Sequence, residues 1–298
     1  MNSNKKPIRI VVLSGKGGTG KTTVSNILIE KLEAKVFIDC DVDAPNLHLV
    51  QKMNVTPIRH RYIGLPKYQI DQEKCTKCGT CYSLCAYRAI KKFPDKNVFL
   101  IDKNRCESCS LCLIKCPSHA IHEIEAIDGQ TLVYRQDSKM FGTAKINIGS
   151  GNSGKLVSEI KKQIEKDNLN SKFEIIDGPP GIGCPVISSL TNTDYALIVT
   201  EPSHSGLSDL KRIIKTAKLL KTTPLIIVNK ADLNSKLSEA IEQYLKSNDI
   251  IYLGRLPYDK NIIKKNNLDK YDENSIFFQR MDFIINDLLD LIKKERKI

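Results

Sequence analysis

Apolar positions along the chain fall into two kinds of stretch. Ile8–Leu13, Val36–Ile38, Phe173–Ile176 and Leu225–Val228 are short, nearly continuous apolar runs. Val24–Leu32, Ser153–Lys166 and Phe283–Lys293 instead carry apolar side chains three and four residues apart. The first kind predicts strands covered on both faces, and the second predicts amphipathic helices packed on them, which is an α/β core. Two short runs, Lys91–Phe93 and Val98–Ile101, flank Pro94-Asp95-Lys96-Asn97 and predict a hairpin.

With 298 residues, 41% hydrophobic and 27% charged, the chain has room for one sizeable core plus a small module. Disordered, collagen-like and coiled-coil classes are excluded. No apolar run approaches the ~20 residues of a membrane helix. The run that follows Lys5 and Lys6 is too brief for a secretory signal, so a cytoplasmic location is expected. Lys and Arg number 46 against 34 Asp and Glu, a net charge of +12 that favours anionic partners. These lysines are scattered, and the densest group, Lys293, Lys294, Arg296 and Lys297, is broken by Glu295. A solvated basic surface explains them better than a nucleic-acid stripe. The absence of Trp and an aromatic content of 6% give base stacking little support.

Ten cysteines change the picture, because eight of them lie between Cys75 and Cys116. In a cytosolic chain such crowding points to metal rather than to disulfides. Cys75, Cys78, Cys81 and Cys85 have the spacing C-x2-C-x2-C-x3-C, and Cys106, Cys109, Cys112 and Cys116 repeat it. Three thiolates on a tight loop wrap three corners of one [4Fe–4S] cubane, and the fourth reaches the cubane of the other repeat. Cluster A is therefore expected on Cys75, Cys78, Cys81 and Cys116, and cluster B on Cys106, Cys109, Cys112 and Cys85. Zinc sites use two pairs with longer separations and do not explain this duplicated rhythm. The segment from about Gln69 to Ile121 resembles the bacterial two-cluster ferredoxins, with Ala86 in place of the proline that often follows the fourth cysteine. Its basic excess implies an acidic redox donor or acceptor.

The first strand runs into Ser14-Gly15-Lys16-Gly17-Gly18-Thr19-Gly20-Lys21-Thr22-Thr23 and then into a helix. Strand, G-x4-G-K-T and helix form a phosphate-binding loop in its required context. Lys21 is expected on the β- and γ-phosphates, with the Thr22 hydroxyl on Mg²⁺. The extra Lys16 makes the loop resemble the deviant phosphate loop of the MinD/ParA family, which includes Mrp-type iron–sulfur carriers. That resemblance implies ATP, an ATP-dependent homodimer, and Lys16 entering the partner's nucleotide site. It also implies a first switch at Asp39-Cys40-Asp41-Val42-Asp43. There Asp41 matches the carboxylate that positions water or the Mg²⁺ shell, with Asp39 and Asp43 as competitors. Asp177-Gly178-Pro179-Pro180-Gly181 resembles Walker B plus the second switch, with Asp177 on Mg²⁺ and the Gly178 N–H on the γ-phosphate. Asn229 in Asn229-Lys230-Ala231-Asp232 is placed at the base, as is Pro257 in the last loop. The same four residues also read as the guanine motif N-K-x-D, and the family likeness favours ATP.

Three further features carry less weight. Gly149–Leu156 imitates a second phosphate loop but has Leu156 where Mg²⁺ needs a hydroxyl, so it reads as a loop capping a helix. Cys40 and Cys184 are expected to be inert packing. The last helix is expected to dock on the core rather than on a membrane, because Asp287 and Asp290 mark a polar outer face. The expected fold is thus a doubly wound, mostly parallel sheet with an inserted α+β two-cluster ferredoxin-like domain. The ATPase would occupy 1–58 and 141–298, and the insertion 59–140. The expected function is ATP hydrolysis coupled to electron transfer through two [4Fe–4S] clusters. The alternatives are a cluster carrier of the Mrp type and a MinD-like spatial organiser.

Overall fold

A computed structural model of the chain describes residues 6–147, 149–167, 169–260, 262 and 275–296. Lys5 and Lys297, named above, lie outside the described residues. From the N-terminus the elements are β1 (Ile8–Ser14), α1 (Lys21–Lys31), β2 (Val36–Asp39), α2 (Leu47–Val50), β3 (Ile58–Ile63), β4 (Lys67–Ile70), α3 (Thr80–Leu84) and β5 (Ile90–Phe93). Next come β6 (Val98–Ile101), α4 (Leu111–Ile114), β7 (Ile121–Ile124), β8 (Ile127–Gln136), β9 (Lys139–Ile146), α5 (Ser153–Lys166) and β10 (Phe173–Pro180). The chain continues through α6 (Cys184–Leu190), β11 (Tyr195–Thr200), α7 (His204–Leu219), β12 (Thr223–Val228), α8 (Ser235–Ser247), β13 (Ile251–Arg255) and α9 (Ile276–Arg296).

Among the described residues nine strands form one sheet in the order β13-β12-β11-β1-β10-β2-β9-β8-β3. Pairing is parallel from β13 to β9 and antiparallel for β9–β8 and β8–β3. A buried strand needs apolar residues on both faces, and β1 shows why its run is continuous. Ile8, Ile10 and Val12 enter the core beneath α1 and α9, whereas Val11 and Leu13 enter the opposite core with α5, α7 and α8. After β1 the chain moves toward β2, but after β10 it crosses back to β11. The carboxyl ends of β1 and β10 therefore lie at a topological switch point, where open α/β sheets bind ligands.

Two small antiparallel sheets, β4–β7 and β5–β6, stand apart from this frame. They enclose their own core of Tyr68, Ile70, Ala89, Ile90, Phe99, Cys106 and Ile121. β5 and β6 are the expected hairpin, joined through a 3₁₀ turn at Pro94–Lys96. The span 59–140 is shared between the two structures. Its ends, β3, β8 and the start of β9, are strands of the large sheet, and the segment with the separate core is 67–124. Gly129 and Gly142, near the second of these ends, both lie inside strands. At Gly142 the side chains of Ile160 and Ile164 press on the backbone, so a Cβ would lie 2.7 Å from Ile164.

Helix α9 begins at Ile276, about two turns before the periodic stretch read from sequence. It docks as expected, burying Phe277, Phe278, Met281, Ile284, Ile285, Leu288 and Ile292. Among the described residues no helix is long and apolar enough to cross a membrane. Phe141 of β9 stacks on Phe37 of β2 at 5.1 Å between ring centroids, and both are fully buried. Phe141→Ala is expected to destabilise the chain by about 3–5 kcal/mol, measured as a lower urea midpoint at unchanged slope.

Candidate functional site

At the end of β1 the chain turns through residues 15–20 into α1. Gly20 is left-handed, with φ 93°, and a Cβ there would stand 2.4 Å from Asn229 Nδ2. The loop needs glycine at this point because Asn229 is holding it. The Asn229 amide donates to the Thr19 carbonyl at 2.7 Å, and Lys230 Nζ donates to the Gly18 carbonyl at 2.7 Å. The cavity above has a volume of about 510 Å³. Lys16, Gly17, Gly18, Thr19, Gly20, Lys21, Thr22, Thr23, Asp41, Asn229 and Pro257 all lie on its wall. Three expected residues do not. Gly15 packs against Asp209, while Asp177 and Gly178 are buried within β10, beneath the loop.

Asp177 is fully buried and accepts from Lys21 Nζ at 2.7 Å, Thr22 Oγ1 at 2.9 Å and Ser25 Oγ at 2.8 Å. A buried carboxylate is tolerated only when its charge and lone pairs are answered in this way. Two of the three residues expected at Mg²⁺, Thr22 and Asp177, are thus in direct contact, and the third is Asp41. Asp39, also fully buried, accepts the N–H groups of Asp41, Asn46 and Leu47 at 3.0, 3.0 and 2.9 Å. It shapes the switch loop instead of facing the cavity. Burial, with the like charge of Asp177, pushes its carboxyl up to about 7. Asp41 lines the cavity and is raised by burial, whereas Asp43 is exposed and off the wall.

Lys16 lies beside Glu201 at 3.6 Å and Ser203 Oγ at 3.4 Å, and Glu201 also meets Lys230 at 3.8 Å. Ser25, Glu201 and Ser203 carried no motif signal. Glu201 could have been found by position, because it follows β11 at the carboxyl edge of the sheet. Asp232, the carboxylate that an N-K-x-D motif would aim at guanine, is off the wall. Its Oδ1 accepts the Tyr258 N–H at 2.7 Å and ties down the last loop.

The clustered cysteines surround two smaller cavities. One is lined by Cys75, Cys78, Cys81 and Cys116, with Thr80 and Ser118 beside them. The other is lined by Cys106, Cys109, Cys112 and Cys85. Each takes three thiols from one repeat and one from the other. The Ala89 N–H donates to Cys85 Sγ and the Ala120 N–H to Cys116 Sγ, both at 3.3 Å, so the two crossing sulfurs are equivalently placed. Among the described residues no three His, Cys, Asp or Glu side chains converge to hold a single metal ion. The thiols ring a space instead.

The two outlying cysteines differ from one another. Cys40 is buried and its thiol is pushed up to about 12 by burial, as inert packing requires. Cys184 is exposed, which corrects the expectation of packing. It opens α6 on the surface, where apolar neighbours in the sequence do not cover it. The Gly149–Leu156 segment precedes and starts α5 as expected. Gly154 lies against Cys184, where a Cβ would be 3.1 Å from its backbone, and Gly149 lies against Asn104, two residues before Cys106. This loop therefore touches both the start of α6 and the cysteine module.

A family model described as the CobQ/CobB/MinD/ParA nucleotide binding domain matches residues 10–270. An uncharacterized protein of Methanocaldococcus jannaschii is 36% identical over 237 residues, 76% of this chain and 80% of its own length. A second uncharacterized protein of that organism is 33% identical over 260 residues, 86% and 87% of the two chains. The septum site-determining protein MinD of Pyrococcus horikoshii, solved with Mg-ADP, superposes with a TM-score of 0.56 at 18% identity, covering 98% of this chain and 100% of that one. A plasmid partition protein of Borrelia burgdorferi, solved with AMPPNP, gives 0.54 at 14% identity, covering 96% and 99%.

The Asp39–Asp177 arrangement yields a pH prediction. Between the ordinary carboxylate value near 3.8 and about 7, the folded chain holds a proton on Asp39 that the unfolded chain releases. Its contribution to stability therefore falls as pH rises through that window. In nucleotide-free protein the Asp39 carboxyl carbon should titrate near 7 by NMR. Asp177→Asn, which removes the like charge, should bring that midpoint down.

Proposed function

The chain belongs to the CobQ/CobB/MinD/ParA nucleotide-binding family, and from that premise we propose that it is a Mg²⁺-dependent ATPase whose inserted module carries two [4Fe–4S] clusters and links nucleotide state to electron transfer. The observation that carries the iron–sulfur half is the crossed lining of the two cavities, three thiols from one repeat and the fourth from the other. Such crossing is the ligand logic of paired cubanes. The donor set fits: eight sulfurs, two of them accepting backbone N–H groups, a kind of hydrogen bond that tunes a metal centre. Cys75, Cys78, Cys81 and Cys116 would hold one cluster, and Cys106, Cys109, Cys112 and Cys85 the other. When bound, the clusters supply one-electron transfer between a donor and an acceptor.

At the nucleotide cavity, the Lys21 ammonium stands on Asp177 and is fixed on the cavity wall where phosphates would arrive. Lys21 and the loop backbone bind the β- and γ-phosphates, while Thr22 and Asp177 hold hydrated Mg²⁺. Asp41, on the wall, orients the attacking water. Adenine is favoured over guanine because Asp232, the carboxylate the guanine motif would use, is committed to the Tyr258 N–H and lies off the wall, where Pro257, Tyr258, Asp259 and Phe277 stand. Lys16, now beside Glu201 and Ser203, is the residue that would cross to a second protomer in an ATP-dependent homodimer. The ATPase comprises 1–58 and 141–298 around the insertion 59–140, whose cysteine-bearing part is 67–124. The 149–154 loop offers a mechanical link, since it touches both α6 and the Cys106 segment. Exposed Lys77, Arg88, Lys91, Lys92, Lys103 and Arg105 belong to the cysteine-bearing segment and suit an acidic redox partner in the cytoplasm.

A second reading is a MinD-like switch that positions another protein. The fold likeness to a septum site-determining protein and a partition protein favours it. Metal analysis separates the two. Protein purified without air should hold about eight irons and eight sulfides under the first reading. Zinc, or no metal, on those thiols overturns it and leaves the second. Lys21→Ala should lower ATP turnover by roughly 100-fold or more, the scale of losing one transition-state donor, with the iron content unchanged. Loss of iron in that variant would overturn the division into separate sites.

A further inference from the structure

Lys21, Lys67 and Lys161 are buried, at 7%, 5% and 7% exposure. Two of them have an evident electrostatic answer. Lys21 meets the carboxylate of Asp177 at 2.7 Å. Lys161 donates to the carbonyls of Ser188, Ser189 and Thr191 at 3.1, 2.7 and 2.5 Å, at the C-terminal end of α6. A helix dipole favours a cation there. Lys67, in β4, has neither arrangement. Its Nζ donates to one group, the carbonyl of Cys106 at 2.5 Å, and no carboxylate among the described residues reaches it.

An ammonium taken out of water with one neutral acceptor is costly, and a nearby anion is the ordinary remedy. Cys106 is the residue that answers Lys67, and its thiol lines the cavity shared with Cys85, Cys109 and Cys112. Ser108, on the same wall, has a buried hydroxyl without a partner. Lys67 stands behind that wall, on the Cys106 backbone, whereas no buried lysine among the described residues donates to a residue lining the other cavity, around Cys75, Cys78, Cys81 and Cys116. One of two otherwise similar sites is therefore equipped with a fixed, buried positive charge.

We propose that Lys67 is the countercharge of an anionic cluster on Cys85, Cys106, Cys109 and Cys112, and that it makes this cluster the easier of the two to reduce. The inference rests on the iron–sulfur reading above. In the reducing step one electron passes from an external one-electron donor to the cluster, with no bond broken and no proton required. The cluster gains one negative charge, which a cation fixed in a dry site stabilises more than it stabilises the oxidised form. Lys67 is a positioning charge, since it touches the ligand's backbone rather than the iron.

The test compares anaerobically purified wild type with Lys67→Met and Lys67→Arg. Iron and sulfide are assayed first, and each protein is then titrated with dithionite while EPR follows the reduced centres. In Lys67→Met one of the two centres should move to lower potential by tenfold or more in its one-electron equilibrium, ~59 mV, while the other stays. Lys67→Arg, which keeps the charge, should restore the wild-type value. Should Lys67→Met assemble poorly, Lys67→Gln provides the same comparison. Unmoved centres, or equal movement of both, would overturn the Lys67 assignment alone. Failure of Lys67→Arg to restore the potential would do the same, because a packing role would then suffice. Wild-type protein without iron would overturn the iron–sulfur reading itself, and the two failures are told apart by the metal assay.

Discussion

The nucleotide cavity depends on one buried carboxylate. Asp177 sits towards the carboxyl end of β10 with no exposure to water, and Lys21, Thr22 and Ser25 all point hydrogen-bond donors at it. Those three residues lie on the first two turns of α1. Their convergence pins the helix to β10, and the preceding loop must then curl over the sheet edge. From the other side, Asn229 and Lys230 at the end of β12 hold the loop's carbonyls. Removing any partner from a buried ionic node leaves charge or lone pairs unanswered, and this holds the cavity's floor rigid.

A second carboxylate beneath the same floor has a different task. Asp39 organises the segment that follows β2 by accepting three backbone N–H groups. Burial, together with the like charge of Asp177 on the neighbouring strand, raises the Asp39 carboxyl, so the two buried acids are electrostatically linked across adjacent strands. The chain continues from that switch into β3 and then into the cysteine module, so the module hangs from strands of the very sheet whose edge holds nucleotide.

Much of the frame was legible because its cause is local. The period-two division of β1 between two cores forces an unbroken apolar run, and such runs marked β1, β2, β10 and β12. The G-x4-G-K-T loop was legible because backbone curvature and a terminal lysine are properties of consecutive residues. The cysteine spacing was legible for the same reason, since a thiol's reach along a tight loop is set by the number of residues between ligands. The boundaries of the insertion were not legible. Gly129 and Gly142 have the composition of a linker but stand inside strands, where Ile164 packs onto Gly142 from a helix far along the chain.

By itself, then, the order of residues determined the strand and helix alternation, the phosphate loop and the duplicated cysteine rhythm, all of which depend on near neighbours. Only the folded chain decided which aspartate of the first switch faces the cavity, that Asp232 secures a loop, that Cys184 is exposed and that Lys67 is buried beside Cys106. Those outcomes are set by charge and burial between segments distant in sequence. Desolvation belongs to a place in the fold, and no residue carries it as a property of its own.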